Sequence, residues 1–454
     1  MHTLPETGCS EGGVHEGSGE IRFHLARGGY YGAVGFSDAV YRVYRMLLSN
    51  PDIVPDRSLI LIDEFQDFNR LEVAFLDELE KRGPILIVGD DDQAVYNSRS
   101  ATPIYLRRKW SSGEYERFEL PYCSRCTEAV VGTANEIVAK AQRKGYLAGR
   151  IPKRFECYLP DKGADSEEFP AILCVECTTP KVIARYVRRE IGRIKGEDIV
   201  ASRSDGYPTV LVVGDRHYLR VLHKELVPHF SQVSFSPSKE ASYGTAEAYE
   251  ELLEDEHSNL GWRVLMERFL DAHRQKEVLT ATQHGAPLRS LLEEAFVERH
   301  LRVLQAIRVI REGCACAPEV IACLRDVLGK ECNAVRGHFT PPAVPEAAPE
   351  DDSEPTITLT SFVGCKGLSA AHVFIVGAHN GCIPRNPNSV SDVEICQFLV
   401  ALTRTRKQCH IIFSGRGLSS GQKKPPEQYR SMFVSWIPPK LLRRIGPLKA
   451  SDLR

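Results

Sequence analysis

The sequence predicts an α/β protein built on parallel sheets, with a wholly helical stretch set into its second half. Three observations carry this. Two short apolar runs, 59–62 (Leu-Ile-Leu-Ile) and 85–88 (Ile-Leu-Ile-Val), end abruptly in Asp63 and Gly89, as buried parallel strands do. From residue 172 onward strand-like and helical segments alternate, which calls for βαβ units. From 246 to 328 Val264, Leu265, Phe269, Leu270, Leu291, Leu292, Phe296, Leu301, Leu304 and Ile307 fall in helical register, without strand signals between them.

Composition sets the bounds. With 454 residues and 43% apolar content the chain can bury the cores of two or three domains. A formal net charge of −2 gives no overall basic field, so any nucleic-acid contact must come from local patches. No apolar run is long enough to span a bilayer and the polar start has no signal-peptide pattern, so no membrane partner and a cytoplasmic location are expected. The 14 cysteines are scattered through apolar segments, as reduced thiols usually are. Cys123/Cys126 and Cys174/Cys177 have zinc-ligand spacing, and together they would make a four-cysteine site.

Taken in order, residues 1–25 lack an apolar period and are expected to be disordered. A helix is predicted over 33–48, with Val34, Phe36, Val40, Val43, Tyr44 and Leu47 at helical spacing and Ser-Asn-Pro as its stop. The strand 59–62 then delivers Asp63 and Glu64 to a sheet edge. An Asp there can hold a magnesium ion on a phosphate, and a Glu beside it can orient or deprotonate a water. The same pair would also serve as an acidic start to the following helix. The amphipathic helix 69–81, with Leu71, Phe75, Leu76 and Leu79 inward, leads to the second strand. Its acidic turn, Asp90-Asp91-Asp92, is followed by Gln93 and Tyr96, which project at the same edge as the first pair.

Farther on, 152–170 is charged, Pro-bearing and aperiodic, and reads as a linker. Strands are predicted at 172–175, 209–213, 356–360, 372–377 and 410–414. Helices fall at 181–194, 218–226 and 393–402, with a basic turn over 403–407. The Pro-, Ala- and Glu-rich stretch 341–355 reads as a connection between domains.

Asp63-Glu64-Phe65-Gln66-Asp67 and Gly89-Asp90-Asp91-Asp92-Gln93-Ala94-Val95-Tyr96 resemble motifs II and III of superfamily 1 DNA helicases of the UvrD/Rep type. Arg125 with Ala134-Asn135 resembles motif IV, Lys366-Gly367-Leu368 motif V, and Val400-Ala401-Leu402-Thr403-Arg404 motif VI. Five motifs in order, over about residues 30–416, are a specific signal. The resemblance implies two RecA-like parallel-sheet domains, the first incomplete, with an all-α insertion in the second. Residues 1–25 would precede a partial first domain (26–150). Residues 151–240 and 350–420 would form the second, 241–349 the helical insertion and linker, and 421–454 a tail.

The resemblance also implies roles. Asp63 would hold Mg²⁺, Glu64 would act on the attacking water, and Gln93 would couple the phosphate to the DNA side. Arg125 would reach the γ-phosphate and Arg404 would act as an arginine finger, with Lys366 and Gly367 also at the ATP. Tyr96, Arg99, Ser361 and Lys366 would touch single-stranded DNA. Some positions depart from the pattern: Ser98 stands where the family often has a stacking Trp, Val363 replaces a His and Ser369 replaces a Glu.

No Gly-x-x-x-x-Gly-Lys-Ser/Thr occurs anywhere, so the loop that cradles the β- and γ-phosphates is missing from this sequence. The family carries that loop farther upstream of its acidic pair than the 62 residues preceding Asp63 here. The expectation is the C-terminal portion of a helicase, inactive alone, with a P-loop-containing polypeptide as the partner that would complete it. The rival reading is a non-catalytic DNA- or protein-binding module derived from a helicase.

Overall fold

A computed structural model of the chain describes residues 19–53, 57–96, 100–235, 243–282, 285–315, 317–340, 353–415 and 429–453. It is a mixed α/β structure with one large parallel sheet and many helices. The described strands are β1 (Ile60–Ile62), β2 (Ile85–Ile87), β3 (Tyr122–Cys123), β4 (Glu156–Cys157), β5 (Ile172–Cys177) and β6 (Val210–Gly214). They continue with β7 (Val233–Phe235), β8 (Ile357–Thr360), β9 (Ala370–Val376), β10 (Thr405–Ser414) and β11 (Leu442–Leu448). The chain divides into two compact units, residues 1–46 with 240–348, and residues 47–239 with 349–454.

All the strands lie in the second unit. Seven form one sheet in the order β11-β5-β10-β9-β6-β8-β7, every neighbouring pair parallel. Such a sheet must be covered on both faces, and the alternation along its strands shows that it is. Leu211, Val213, Val373, Ile375 and Ile411 face one core with the helices Glu128–Arg143 and Asp392–Leu402. Val210, Val212, Phe374, Val376 and Ile412 face the other, with the helices Pro180–Ile191 and Arg216–Leu226.

The two-stranded β1–β2 sheet is different. It pairs in register Ile60↔Ile85 through Ile62↔Ile87 and packs one side on a small core of Phe65, Val73, Leu76, Leu106 and Ile151. On its other side Leu61 is 68% and Leu86 46% exposed. The following helix runs Arg70–Glu80, capped by Asn69 and Glu72 in a reciprocal box.

Several sequence expectations are corrected. Residues 19–25, expected to be disordered, lie in the helix Gly19–Tyr30. Its end is tied down because Tyr30 Oη donates to Ala286 O at 2.7 Å and Asn259 Nδ2 donates to Tyr30 O at 2.7 Å, within the helical unit. The stretch read as a linker holds β4 and the helix Leu159–Glu168, since Glu156 N and Tyr158 N find carbonyl partners at Pro121 and Cys123. The basic turn over 403–407 is in part strand, because β10 begins at Thr405. The expected tail contributes β11, which pairs with β5 and forms the sheet's edge. The expectations for residues 1–18 and 341–352 lie outside the described residues.

The first unit is helical among its described residues, with a core around Tyr249, Trp262, Leu265, Phe296, Leu304 and Ile307. His300 sits inside it at 2% exposure, its Nδ1 2.5 Å from Tyr249 Oη and its ring against Phe296 and Phe269. Burial holds this imidazole down to about 4. No helix among the described residues is long and apolar enough to cross a membrane.

Candidate active site

The site grows from the tips of β1 and β2. Asp63 follows β1, and its Oδ1 accepts the Glu64 N–H at 2.8 Å. Glu64 takes the left-handed backbone conformation, φ 53° and ψ 37°, which a non-glycine residue adopts only under constraint. The next residue, Phe65, donates its N–H to Val88 O at 3.1 Å, so the turn after β1 is locked to the end of β2. Gln66 is fully buried; its Nε2 donates to Glu64 Oε2 and its Oε1 accepts the Asp90 N–H at 2.9 Å. Gly89 is needed between them, because a Cβ there would stand 2.8 Å from Gln66 Oε1 and 3.0 Å from Leu106 Cδ2.

The acidic turn after β2 is held from below. Asp91 is buried and receives Arg107 Nε at 2.8 Å, Ile151 N at 3.0 Å and the Lys153 ammonium. Asp92 takes Arg150 through two bonds of 2.7 Å. Burial alone would raise the Asp91 carboxyl, but Lys153 and Arg107 outweigh it and hold the carboxyl below its ordinary range. Asp90, Asp91 and Asp92 are close enough to share a cation, yet Lys153 already stands within 4.0 Å of all three. The turn is therefore a structural ion-pair network that fixes Gln93, whose Nε2 donates to Asp90 Oδ2 at 2.8 Å.

The cationic residues come from the seven-stranded sheet. Lys366, on the turn between β8 and β9 just before Gly367 at φ +80°, donates to Asp67, stands 3.2 Å from Glu64 Oε2 and donates to Gln93 O at 3.0 Å. Its ammonium also lies 5.3 Å from the centre of the Tyr96 ring. Arg404, between the helix Asp392–Leu402 and β10, is 3% exposed. Its Nη2 reaches Gln93 Oε1 at 3.4 Å, and its Nε donates to Val400 O at 3.0 Å. Burial lowers its guanidinium pKa from the usual value, and Arg125 opposite adds repulsion.

Arg125 and Arg404 line one cavity of about 280 Å³ together with Asp90, Gln93, Asn135 and Arg150. Among the described residues neither Arg125 nor Arg404 forms an ion pair with a carboxylate. The cavity is thus lined by two guanidinium groups, one of them deeply buried.

Residues 26–110 match the family model of the UvrD/REP helicase N-terminal domain. Over this stretch the chain is similar to UvrD/Rep-type helicases. It is 33% identical to DNA helicase II of Haemophilus influenzae over 113 residues, 24% of this chain and 16% of that protein. Against DNA helicase II of Escherichia coli the figures are 31% over 144 residues, 30% and 18%. Against DNA helicase II of Salmonella typhimurium they are 31% over 115 residues, 24% and 16%. The matches thus cover less than a fifth of the length of these relatives.

Glu64, Gln93, Lys366 and Arg404 meet in one contact chain, the Lys366 ammonium lies near the Tyr96 ring, and Arg125 lies across the cavity. Asp63 is exposed and, like Glu64, is not among the residues that line the cavity. Ser361 lies on the Lys366 turn, where its Oγ accepts the Gly364 N–H at 3.0 Å. Arg99 and Ser98 lie outside the described residues. Asn135 serves the fold: its Nδ2 donates to Phe155 O at 2.8 Å.

The four-cysteine metal reading fails. Cys174 and Cys177, three apart in β5, face opposite cores, and among the described residues only Asp90, Asp91 and Asp92 cluster as metal ligands would. Sequence reasoning missed Arg107, Arg150 and Lys153. The available signal was the run of three aspartates after a buried strand, which needs cations to enter the interior.

Proposed function

We propose that this chain forms the ATP- and single-stranded-DNA-handling part of a UvrD/Rep-type helicase or translocase. In this reading β1–β2 belong to an incomplete RecA-like domain and the seven-stranded sheet to a second one, which carries the helical residues 241–349 as an insertion. The supporting observation is Arg404: a buried cation that pairs with no carboxylate among the described residues, bonded to Gln93 and sharing a cavity with Arg125.

ATP would lie with its phosphates between the β1–β2 tips and the two arginines. Glu64 orients or deprotonates the water directed at the γ-phosphorus. Arg125 and Arg404 neutralise charge that develops on the transferred phosphoryl group. Gln93, touching Arg404 on one side and the Lys366–Tyr96 pair through its carbonyl on the other, links phosphate to DNA. Tyr96 offers a ring for base stacking, and Lys366, Ser361 and Arg99 offer contacts to phosphates. Asp63 fits Mg²⁺, since it is an exposed carboxylate with only one oxygen engaged by Glu64 N, and the ion would neutralise the β- and γ-oxygens.

Without a Gly-Lys-Ser/Thr loop in its sequence, the chain alone should neither hydrolyse ATP nor unwind DNA. A P-loop-bearing polypeptide is the partner that would complete it, and the uncovered Leu61/Leu86 face of the β1–β2 sheet is where a further βα unit would pack. The test is phosphate release with single-stranded DNA. No turnover is expected from the chain alone, and turnover that Glu64→Gln abolishes would refute this reading.

A second reading, a non-catalytic DNA- or protein-binding module, draws support from Lys366, which already neutralises Glu64 and Asp67 within the chain. It predicts DNA binding that is indifferent to magnesium-ATP; the motor reading predicts that the nucleotide changes it.

A further inference from the structure

We propose that Cys123 and Cys126 form a thiol–disulfide redox site on the turn that carries Arg125, with Cys123 as the attacking thiol and Cys126 as the resolving one. The two cysteines stand in Cys-x-x-Cys spacing between the end of β3 and the helix Glu128–Arg143, and both line the cavity that Arg125 and Arg404 share. Cys123 is partly exposed and Cys126 fully buried, which gives one sulfur an approach from the cavity and leaves the other to follow it. A third thiol is near: Cys157 pairs with Cys123 in the β3–β4 register, and its Sγ donates to Cys126 O at 3.3 Å. These three do not gather as metal ligands among the described residues, so pairwise sulfur chemistry is what the arrangement suits.

The surroundings favour a thiolate at Cys123. The Cys126 thiol beside it, the backbone N–H groups of Cys126 and Arg125, and the Arg125 charge outweigh burial and bring it to about 5. Arg404 faces Cys126 from the seven-stranded sheet, Asp90 and Asp92 stand across the cavity, and Glu128 and Lys162 flank Cys157. The Cys123 sulfur beside it and its burial push Cys126 up against the pull of Arg125 and Arg404, so it remains a protonated thiol.

With a low-molecular-weight disulfide as oxidant the chemistry balances. The Cys123 thiolate attacks one sulfur of the disulfide, forming a mixed disulfide and releasing one thiolate. That thiolate takes the Cys126 proton, and Cys126 attacks Cys123 Sγ, closing the bridge and expelling the second thiolate. Two protein thiols are oxidised and one disulfide is reduced to two thiols. Bridge formation removes the Cys126 S–H that donates to Thr403 O at 3.3 Å, the contact joining the Arg125 turn to the residue before Arg404.

The experiment treats the reduced full chain with oxidised glutathione and maps the products by peptide mass spectrometry. The expected result is a Cys123–Cys126 bridge ahead of any other. In Cys126→Ser, Cys123 should instead accumulate as the glutathione adduct. Iodoacetamide should alkylate Cys123 rapidly at pH 6, with its rate falling only near pH 5. Hydrogen exchange at the amides of 403–405 should rise on oxidation and revert with dithiothreitol. A Cys123–Cys157 bridge, no bridge, or alkylation of Cys123 only above pH 8 would overturn the assignment; unchanged exchange at 403–405 would overturn the coupling to Arg404.

Discussion

The Arg404 guanidinium reaches Gln93 Oε1 at 3.4 Å, so a cation from the end of one sheet's helix touches an amide from the tip of another sheet. The same guanidinium meets carbonyls of Val400 and Leu368 and no carboxylate among the described residues. If it awaits a phosphate, Arg404→Ala should weaken binding of inorganic triphosphate by roughly tenfold to a hundredfold, the range for one charge-assisted contact. Arg404→Lys should recover only part of it. Isothermal titration with Mg²⁺ present checks this, and unchanged affinity would remove the anion site.

Asp91 should be a stability residue. Replacing it with Ala leaves Arg107 without its carboxylate and Lys153 with only Asp90 and Asp92, and unfolding in urea should show a loss of about 3 kcal/mol. The sign with pH follows from its lowered carboxyl. Its contribution is complete above the unfolded value of about 3.9 and is lost as pH falls through the lower folded value. The gap between wild type and Asp91→Ala should therefore close in strong acid.

His300 gives a window of the same sign at higher pH in the helical unit. The unfolded chain takes up a proton near 6.5, whereas the buried ring resists until about 4. Stability should be highest above about pH 6.5, decline as pH falls to about 4 and level off below it. His300→Phe should flatten that decline in thermal unfolding followed from pH 7 to 4.

The bare side of the β1–β2 sheet makes a surface prediction. Leu61→Lys and Leu86→Lys should leave the thermal midpoint of the chain alone within a degree or two, because both side chains are largely in water already. The same changes should block any gain in ATP binding produced by a P-loop-bearing polypeptide supplied in trans. A large fall in the midpoint would mean that the face is covered within the chain.

Lys366 bears on DNA. If it contacts a phosphate, Lys366→Ala should weaken single-stranded DNA binding and reduce the salt slope of log affinity by about 1. Tyr96→Ala should weaken binding with no change in slope, since stacking releases no counterions. Fluorescence anisotropy across a salt series separates the two.

The strands at the centre of the large sheet and the helices that cover it were legible because burial on both faces forces continuous apolar runs and amphipathic helices repeat at 3.6 residues. Val210-Leu211-Val212-Val213 and the helix Arg216–Leu226 are examples. What was missed depends on partners distant in sequence. β11 carries Arg443, Arg444 and Pro447 and reads as a loop, yet a sheet edge tolerates such residues. The acidic pair, Gln93 and the arginines were legible as motif residues. The Arg150–Asp92 and Lys153–Asp91 pairs were not, since nothing local says which cation will reach a given carboxylate.

Glu64 holds a left-handed backbone that glycine or asparagine would adopt with less strain, a difference of about 1–2 kcal/mol. Glu64→Gly should therefore raise the melting temperature while deleting one of the two carboxylates paired with Lys366. At this position ease of folding and acid–base chemistry pull in opposite directions, so a screen that selects only for heat resistance should drive glutamate out of the turn.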